Sequence, residues 1–219
     1  TPLGGGVSAG VHESQSRLLE NHVGRSPAFW AAHFPRLRDT FPDQLADVTE
    51  AEFVAAINRV EPGPIRVEAD ELTYDLHIML RVRLEMALMD GTLAVADVPH
   101  VWREAMRDDL GVDVADDANG CLQDVHWSSG YIGSFPTYTI GNATAAQLMA
   151  NFDATRPDIR TALDKADTGP LRAALADAVW RHGRSRSRAG ILEQQGLQAN
   201  DPKPYLSYLT SKFGTGAQA

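Results

Sequence analysis

Apolar residues recur three and four positions apart along most of the chain, and strict alternation of apolar and polar residues over more than four positions is hard to find. That period belongs to amphipathic helices rather than to half-buried strands, so an all-α, mainly helical protein is predicted. Val11 to Val23 reads as a first helix stopped at Gly24. Ser26-Pro27 supplies an N-cap and then a proline at the first helical position of a second, which runs to about Thr40 and ends at Phe41-Pro42. Thr49 and Glu52 stand at capping-box spacing and open a third helix through Arg59, broken by Glu61-Pro62-Gly63-Pro64. Ile65 to Glu68 reads as a short extended stretch. A long helix follows from Ala69 or Asp70 to Asp90, with Leu72, Leu76, Met79, Leu80 and Met86 expected on its apolar side and Gly91 as its stop. Pro99 starts another, carrying Trp102, Ala105, Met106 and Leu110 and ended by Gly111.

Between Gly120 and Gly141, glycines, serines, Pro136 and the aromatics Trp127, Tyr131, Phe135 and Tyr138 interrupt any single period, which predicts a structured irregular segment. Helices resume at about Ala143–Phe152, Asp158–Asp167, Leu171–His182 and Pro204–Phe213, before a frayed tail at about 214–219. No repeat, low-complexity tract or long linker divides the chain. Residues 1–219 are therefore expected to form one helical domain.

Charge narrows the partners. With 20 Lys+Arg against 29 Asp+Glu the chain carries a formal charge of −9, which argues against a nucleic-acid backbone as ligand. The basic cluster Arg181, Arg184, Arg186 and Arg188 reads as a solvated helix end. No apolar run approaches the roughly 20 residues needed to span a bilayer, so no membrane association is expected. Cys121 is the single cysteine, which rules out an internal disulfide. With no charged and then apolar leader at the start, a cytoplasmic setting is expected.

Three segments carry candidate chemistry. His12-Glu13-Ser14-Gln15-Ser16-Arg17 begins like the zinc helix HExxH, but Ser16 stands where the second histidine belongs. Glu13 can still supply a third ligand to a zinc held from another helix, with Arg17 orienting it; the plain alternative is an exposed Glu-Arg pair. In Ile65-Arg66-Val67-Glu68-Ala69-Asp70 a guanidinium stands beside two carboxylates, suited to gripping a substrate carboxylate or to a structural salt bridge. In Gly120-Cys121-Leu122-Gln123-Asp124-Val125-His126-Trp127, His126 stands two from Asp124, and histidine can donate a proton or stabilise an oxyanion; the alternative is a ring satisfied among packed aromatics. His22, His33, His77, His100 and His182 show no ligand spacing. There is no P-loop, no GxGxxG after a strand and no GxSxG elbow, so nucleotide and serine-hydrolase chemistry has no support.

In this order the three blocks resemble the HES, IRxxAD and GxxQDxHW signatures of the carboxypeptidase Taq-type zinc metallocarboxypeptidase family. Glu20-Asn21, Gly24-Arg25-Ser26, Glu71-Leu72-Thr73-Tyr74, Leu76-His77-Ile78 and Phe135-Pro136-Thr137-Tyr138 agree with it, and the likeness runs into Tyr205-Leu206-Ser207-Tyr208-Leu209. The family's enzymes are mostly helical and longer, with HExxH, HPF and DxRxT blocks N-terminal to HES; none of the three occurs in this sequence. The resemblance therefore implies the C-terminal helical part of a larger zincin-like carboxypeptidase, which removes single residues from peptide C-termini. It implies Glu13 as a zinc ligand, Arg66 near the substrate's terminal carboxylate, and His126, Gln123 and Tyr138 as catalytic candidates. The implied partners are peptides, an HExxH-bearing N-terminal half, and a second copy in a homodimer. With HExxH absent, this chain alone is expected to be inactive and not to hold zinc. Ser134 departs from the family's usual aromatic, and Ala143-Thr144 from bulkier residues, which points to a wider groove. The alternative function is a non-catalytic helical remnant or subunit.

Overall fold

The computed structural model describes residues 1–214; residues 215–219 of the expected frayed tail lie outside the described residues. Ten α-helices and no strand are formed among the described residues. In chain order they are α1 (Ala9–Arg17), α2 (Pro27–Thr40), α3 (Glu50–Ile57), α4 (Tyr74–Met89), α5 (Val98–Leu110), α6 (Pro136–Thr155), α7 (Pro157–Leu163), α8 (Gly169–Ala178), α9 (Arg188–Gln194) and α10 (Lys203–Phe213). None is long and apolar enough to cross a membrane. The chain divides into two compact units, one built from Thr1–Asn58 with the chain from Ile140 onward, the other from Arg59–Thr139.

In the first unit the expected Val11–Val23 helix is α-helical only to Arg17. Leu18–Gly24 then opens into a π-helical turn, and this wider spiral buries Leu18, Asn21, His22 and Val23 together. Val11, Leu18 and Val23 join Leu148, Met149, Phe152, Leu171, Leu175, Ile191 and Leu192 in the core. Each such side chain contributes about 1.5–3 kcal/mol on full burial. The caps follow the sequence: Ser26 accepts from the Phe29 amide, and Thr49 and Glu52 close the capping box. Trp30 and Phe34 pack on Phe53, joining α2 to α3. Helix α9 has no counterpart in the periodicity because it is only 7 residues long and carries Gly190; Ser187 caps it and Ile191 and Leu192 anchor it. Within the expected solvated cluster, Arg181, Arg184 and Arg186 are exposed, whereas Arg188 donates to the Ala199 carbonyl at 2.5 Å and to Asn200 at 2.8 Å.

The second unit corrects the reading of its long helix. Arg66–Glu68 is a 3-10 turn, not an extended stretch, and α4 begins at Tyr74 because Asp70 first folds a turn, accepting from the amides of Leu72 and Thr73. Of the expected apolar side, Leu72, Met79 and Met86 are exposed and Leu80 is buried. The buried face instead carries Tyr74, Asp75, His77, Ile78, Arg81, Leu84 and Glu85. A helix whose inward residues are partly charged has no clear apolar stripe, so the periodicity placed Leu76 and Leu80 on the core side and Leu72, Met79 and Met86 wrongly with them. Leu80 and Leu84 pack with Trp102, Met106 and Leu110 of α5, which Gly111 ends in the left-handed region at φ 67°.

This difference has a measurable consequence. Leu80→Ala should cost about 2–5 kcal/mol in urea unfolding, whereas Met79→Ala, one position away, should stay within about 0.5 kcal/mol.

Candidate functional site

The irregular segment after α5 is tied to α4 by polar anchors. Asp124 sits between two buried arginines. Its Oδ1 accepts from Nε and Nη2 of Arg66 at 3.0 and 2.6 Å, and its Oδ2 accepts from Nε of Arg81 at 2.6 Å. Arg66 also donates to the Tyr74 hydroxyl at 2.8 Å, and Arg81 to the His77 carbonyl at 2.9 Å. Glu85 takes the Trp127 indole N–H at 2.7 Å and the Gly133 amide at 2.6 Å. Gln123 joins the 3-10 turn to the loop: its Oε1 accepts the Arg66 amide at 2.8 Å, and its Nε2 donates to the carbonyls of Asn119, Pro64 and Gly120.

On this base stands His126. Its Nε2 lies 3.0 Å from the Tyr138 hydroxyl, its Nδ1 lies 3.8 Å from Asp124 Oδ1, and its ring packs 4.4 Å from Phe135. The His126 side chain is 16% exposed where Arg66 is 7%, so the imidazole is the more open of the two.

Electrostatics set the protonation of the cluster. Burial opposes the charge on Asp124, but the Arg66 hydrogen bonds and the fields of Arg81 and Arg66 outweigh it and hold the carboxyl below its ordinary value. Burial, then Arg66 and Arg81, push His126 down against the pull of Asp124 and Glu85, leaving the ring neutral at neutral pH. His77 falls further, to about 4, through burial and the same two arginines. Burial brings Arg81 down to about 10, while hydrogen bonds to Asp124 keep Arg66 above its ordinary value; both stay cationic at neutral pH. Two guanidinium charges thus share one carboxylate.

Glu13 belongs to the first unit. Its half-buried carboxylate accepts from Arg17 Nε on Oε1 and from Ser16 on Oε2, both at 3.0 Å, and Arg17 continues to Glu20 and on to Arg25. Each oxygen keeps a lone pair, so Glu13 fits the role of one metal ligand with its orienting partners already in place. No group of three or more His, Cys, Asp or Glu side chains that could hold a metal ion is formed among the described residues. A metal using Glu13 needs its remaining ligands from elsewhere.

The family profile described as Carboxypeptidase Taq (M32) metallopeptidase matches residues 1–213. The chain belongs to that family. It is 45% identical to thermostable carboxypeptidase 1 of Thermus thermophilus over 97% of its own length and 42% of that protein. Carboxypeptidase 1 of Bacillus subtilis is 37% identical over the same shares. Among solved structures, the M32 carboxypeptidase of Deinococcus radiodurans superposes with a TM-score of 0.94 at 48% identity, covering 100% of this chain and 44% of that one. The chain thus spans less than half the length of these M32 relatives, and its all-helical fold is shared with the matching part of them.

Of the residues singled out in the sequence, Arg66, Gln123, His126 and Tyr138 come together in the second unit. Three further members of that cluster were not singled out as site residues: Asp124, Arg81 and Glu85. Asp124 was visible inside the M32-like GxxQDxHW block, two positions before His126. Arg81 and Glu85 stand four and eight residues after His77, one face of α4, a spacing that marks a charged buried face once burial is known.

Among the described residues, neither ring nitrogen of buried His77 has a hydrogen-bond partner. Its folded value of about 4 lies below the unfolded value near 6.5, so the unfolded chain takes up the proton first and stability falls as pH drops below about 6.5. This one group should remove about 1–2 kcal/mol between pH 7 and pH 5. His77→Leu should leave stability at pH 7 nearly unchanged and flatten that loss, as read from urea midpoints at the two pH values.

Proposed function

We propose that this chain works as part of a metal-dependent carboxypeptidase, the C-terminal part of the family's enzyme, which removes single residues from the C-termini of peptides. Family membership over residues 1–213 carries the reading. Glu13 is the carboxylate that, with an HExxH-bearing segment, would complete a two-His, one-Glu zinc site, and Arg17 and Ser16 hold it in direction. A zinc in such a site lowers the pKa of its water to about 7 and polarises the scissile carbonyl. The partners of this reading are peptides, the HExxH half and a second copy in a homodimer; the lone buried Cys121 fits a reducing, cytoplasmic setting.

The remaining roles follow from the cluster. His126 and Tyr138 form the substrate-facing pair: a neutral imidazole bonded to a phenol offers a donor to the oxygen of a tetrahedral intermediate, prepared before substrate arrives. Arg66 is buried on Asp124 and Tyr74, so its role is first to hold Asp124 behind His126. Its attraction for a peptide's terminal carboxylate acts through the excess positive charge of the Arg66–Asp124–Arg81 group. Gln123 splints the loop that carries His126.

The test joins or mixes this chain with an HExxH-bearing half. Expected are peptide C-terminal hydrolysis, loss of bound zinc in Glu13→Ala, and a kcat about 100-fold lower in Tyr138→Phe with zinc retained. Arg66→Ala should raise KM or lower kcat/KM without changing metal content. This chain alone should carry no stoichiometric zinc after gel filtration. Hydrolysis that never appears with a metal-loaded partner half would favour the non-catalytic helical subunit.

A further inference from the structure

Gly141 lies buried within α6, and its φ is not in the left-handed region, so the backbone there does not call for glycine. In a helix interior glycine costs about 1 kcal/mol relative to alanine. Space is what it provides. A Cβ at this position would stand 2.8 Å from Glu13 Cγ, 2.9 Å from Glu13 Cβ and 3.2 Å from the Glu13 carbonyl carbon. The first two distances are shorter than side chains tolerate, and the atoms met are the root of the Glu13 side chain, which has little freedom to swing away.

We infer that Gly141 is a positioning residue for Glu13: the bare backbone of α6 forms a notch that receives the Glu13 stem and fixes the direction of its carboxylate. The inference rests on the proposed role of Glu13 as a metal ligand. The notch holds the side chain at its base while Ser16 and Arg17 hold it at its tip. A flexible side chain fixed at both ends meets a metal with little ordering left to do, and the carboxylate oxygens keep lone pairs free in a set direction. A methyl group in the notch leaves the ligand chemically intact and points it elsewhere.

The test measures the zinc dissociation constant, by competition with a chromophoric chelator, in the full-length protein that joins this chain to an HExxH-bearing segment. The metal-free melting temperature is followed alongside. Gly141→Ala should weaken zinc binding about 10- to 100-fold, with the metal-free melting temperature held within a few degrees. Glu13→Ala should abolish zinc retention. A Gly141→Ala dissociation constant within threefold of the parent, with Glu13→Ala still stripping the metal, overturns the notch and leaves Glu13 as a ligand. Zinc retained in Glu13→Ala overturns the ligand role and the notch with it. Should Gly141→Ala fail to fold, Glu13→Gly/Gly141→Ala, which removes both side-chain atoms the methyl meets, decides: recovery of folding supports a notch for the side chain, and no recovery overturns it in favour of a simple clash of helix backbones.

Discussion

One carboxylate shared by two buried guanidinium groups holds the second unit's irregular segment to its helices. Asp124 is reached by Arg66 from the 3-10 turn and by Arg81 from α4, so three separate pieces of chain meet on two oxygens. Such a group contributes little as a simple sum of attractions, because taking the charges out of water offsets much of the Coulomb gain. Its importance lies in the alternative. Any arrangement that displaced the carboxylate would leave two cations buried without a counter-charge, so the segment has one register and no neighbouring one of similar energy.

That constraint reaches the open side of the cluster. Loops built on apolar contacts can slide by fractions of an ångström at small cost, whereas directional bonds to Asp124, Glu85 and Gln123 fix the path of the backbone that carries His126, whose ring is bonded to Tyr138. In the first unit the carboxylate of Glu13 is held more locally, by residues three and four positions on in the same helix and by the close approach of α6. The two units thus use different means to the same end, a polar side chain with few orientations.

What the sequence made legible was what local chemistry decides. Ser26, Thr49 and Gly111 mark helix ends because caps need only their own turn, and the HES, IRxxAD and GxxQDxHW blocks could be recognised as continuous text. Burial of charge was not legible. Nothing in the sequence marked Arg81 and Glu85 as inward, and Met79 and Met86 read as the apolar side of α4, because the partners of Arg81 and Glu85, Asp124 and Trp127, stand over forty positions away and leave no local trace. Gly141 was hidden for a related reason: read alone it looks like a helix breaker, and its use appears only when Glu13, far off in sequence, is placed against it.

Gln123 carries a consequence of another kind. Its amide nitrogen serves three backbone carbonyls, so no acceptor can replace it. Hydrolysis of that amide, the slow chemical ageing open to any glutamine, would turn a donor into a carboxylate facing three lone-pair-bearing oxygens while adding no bulk. The molecule would keep its helices and its core, and lose first the splint beneath His126.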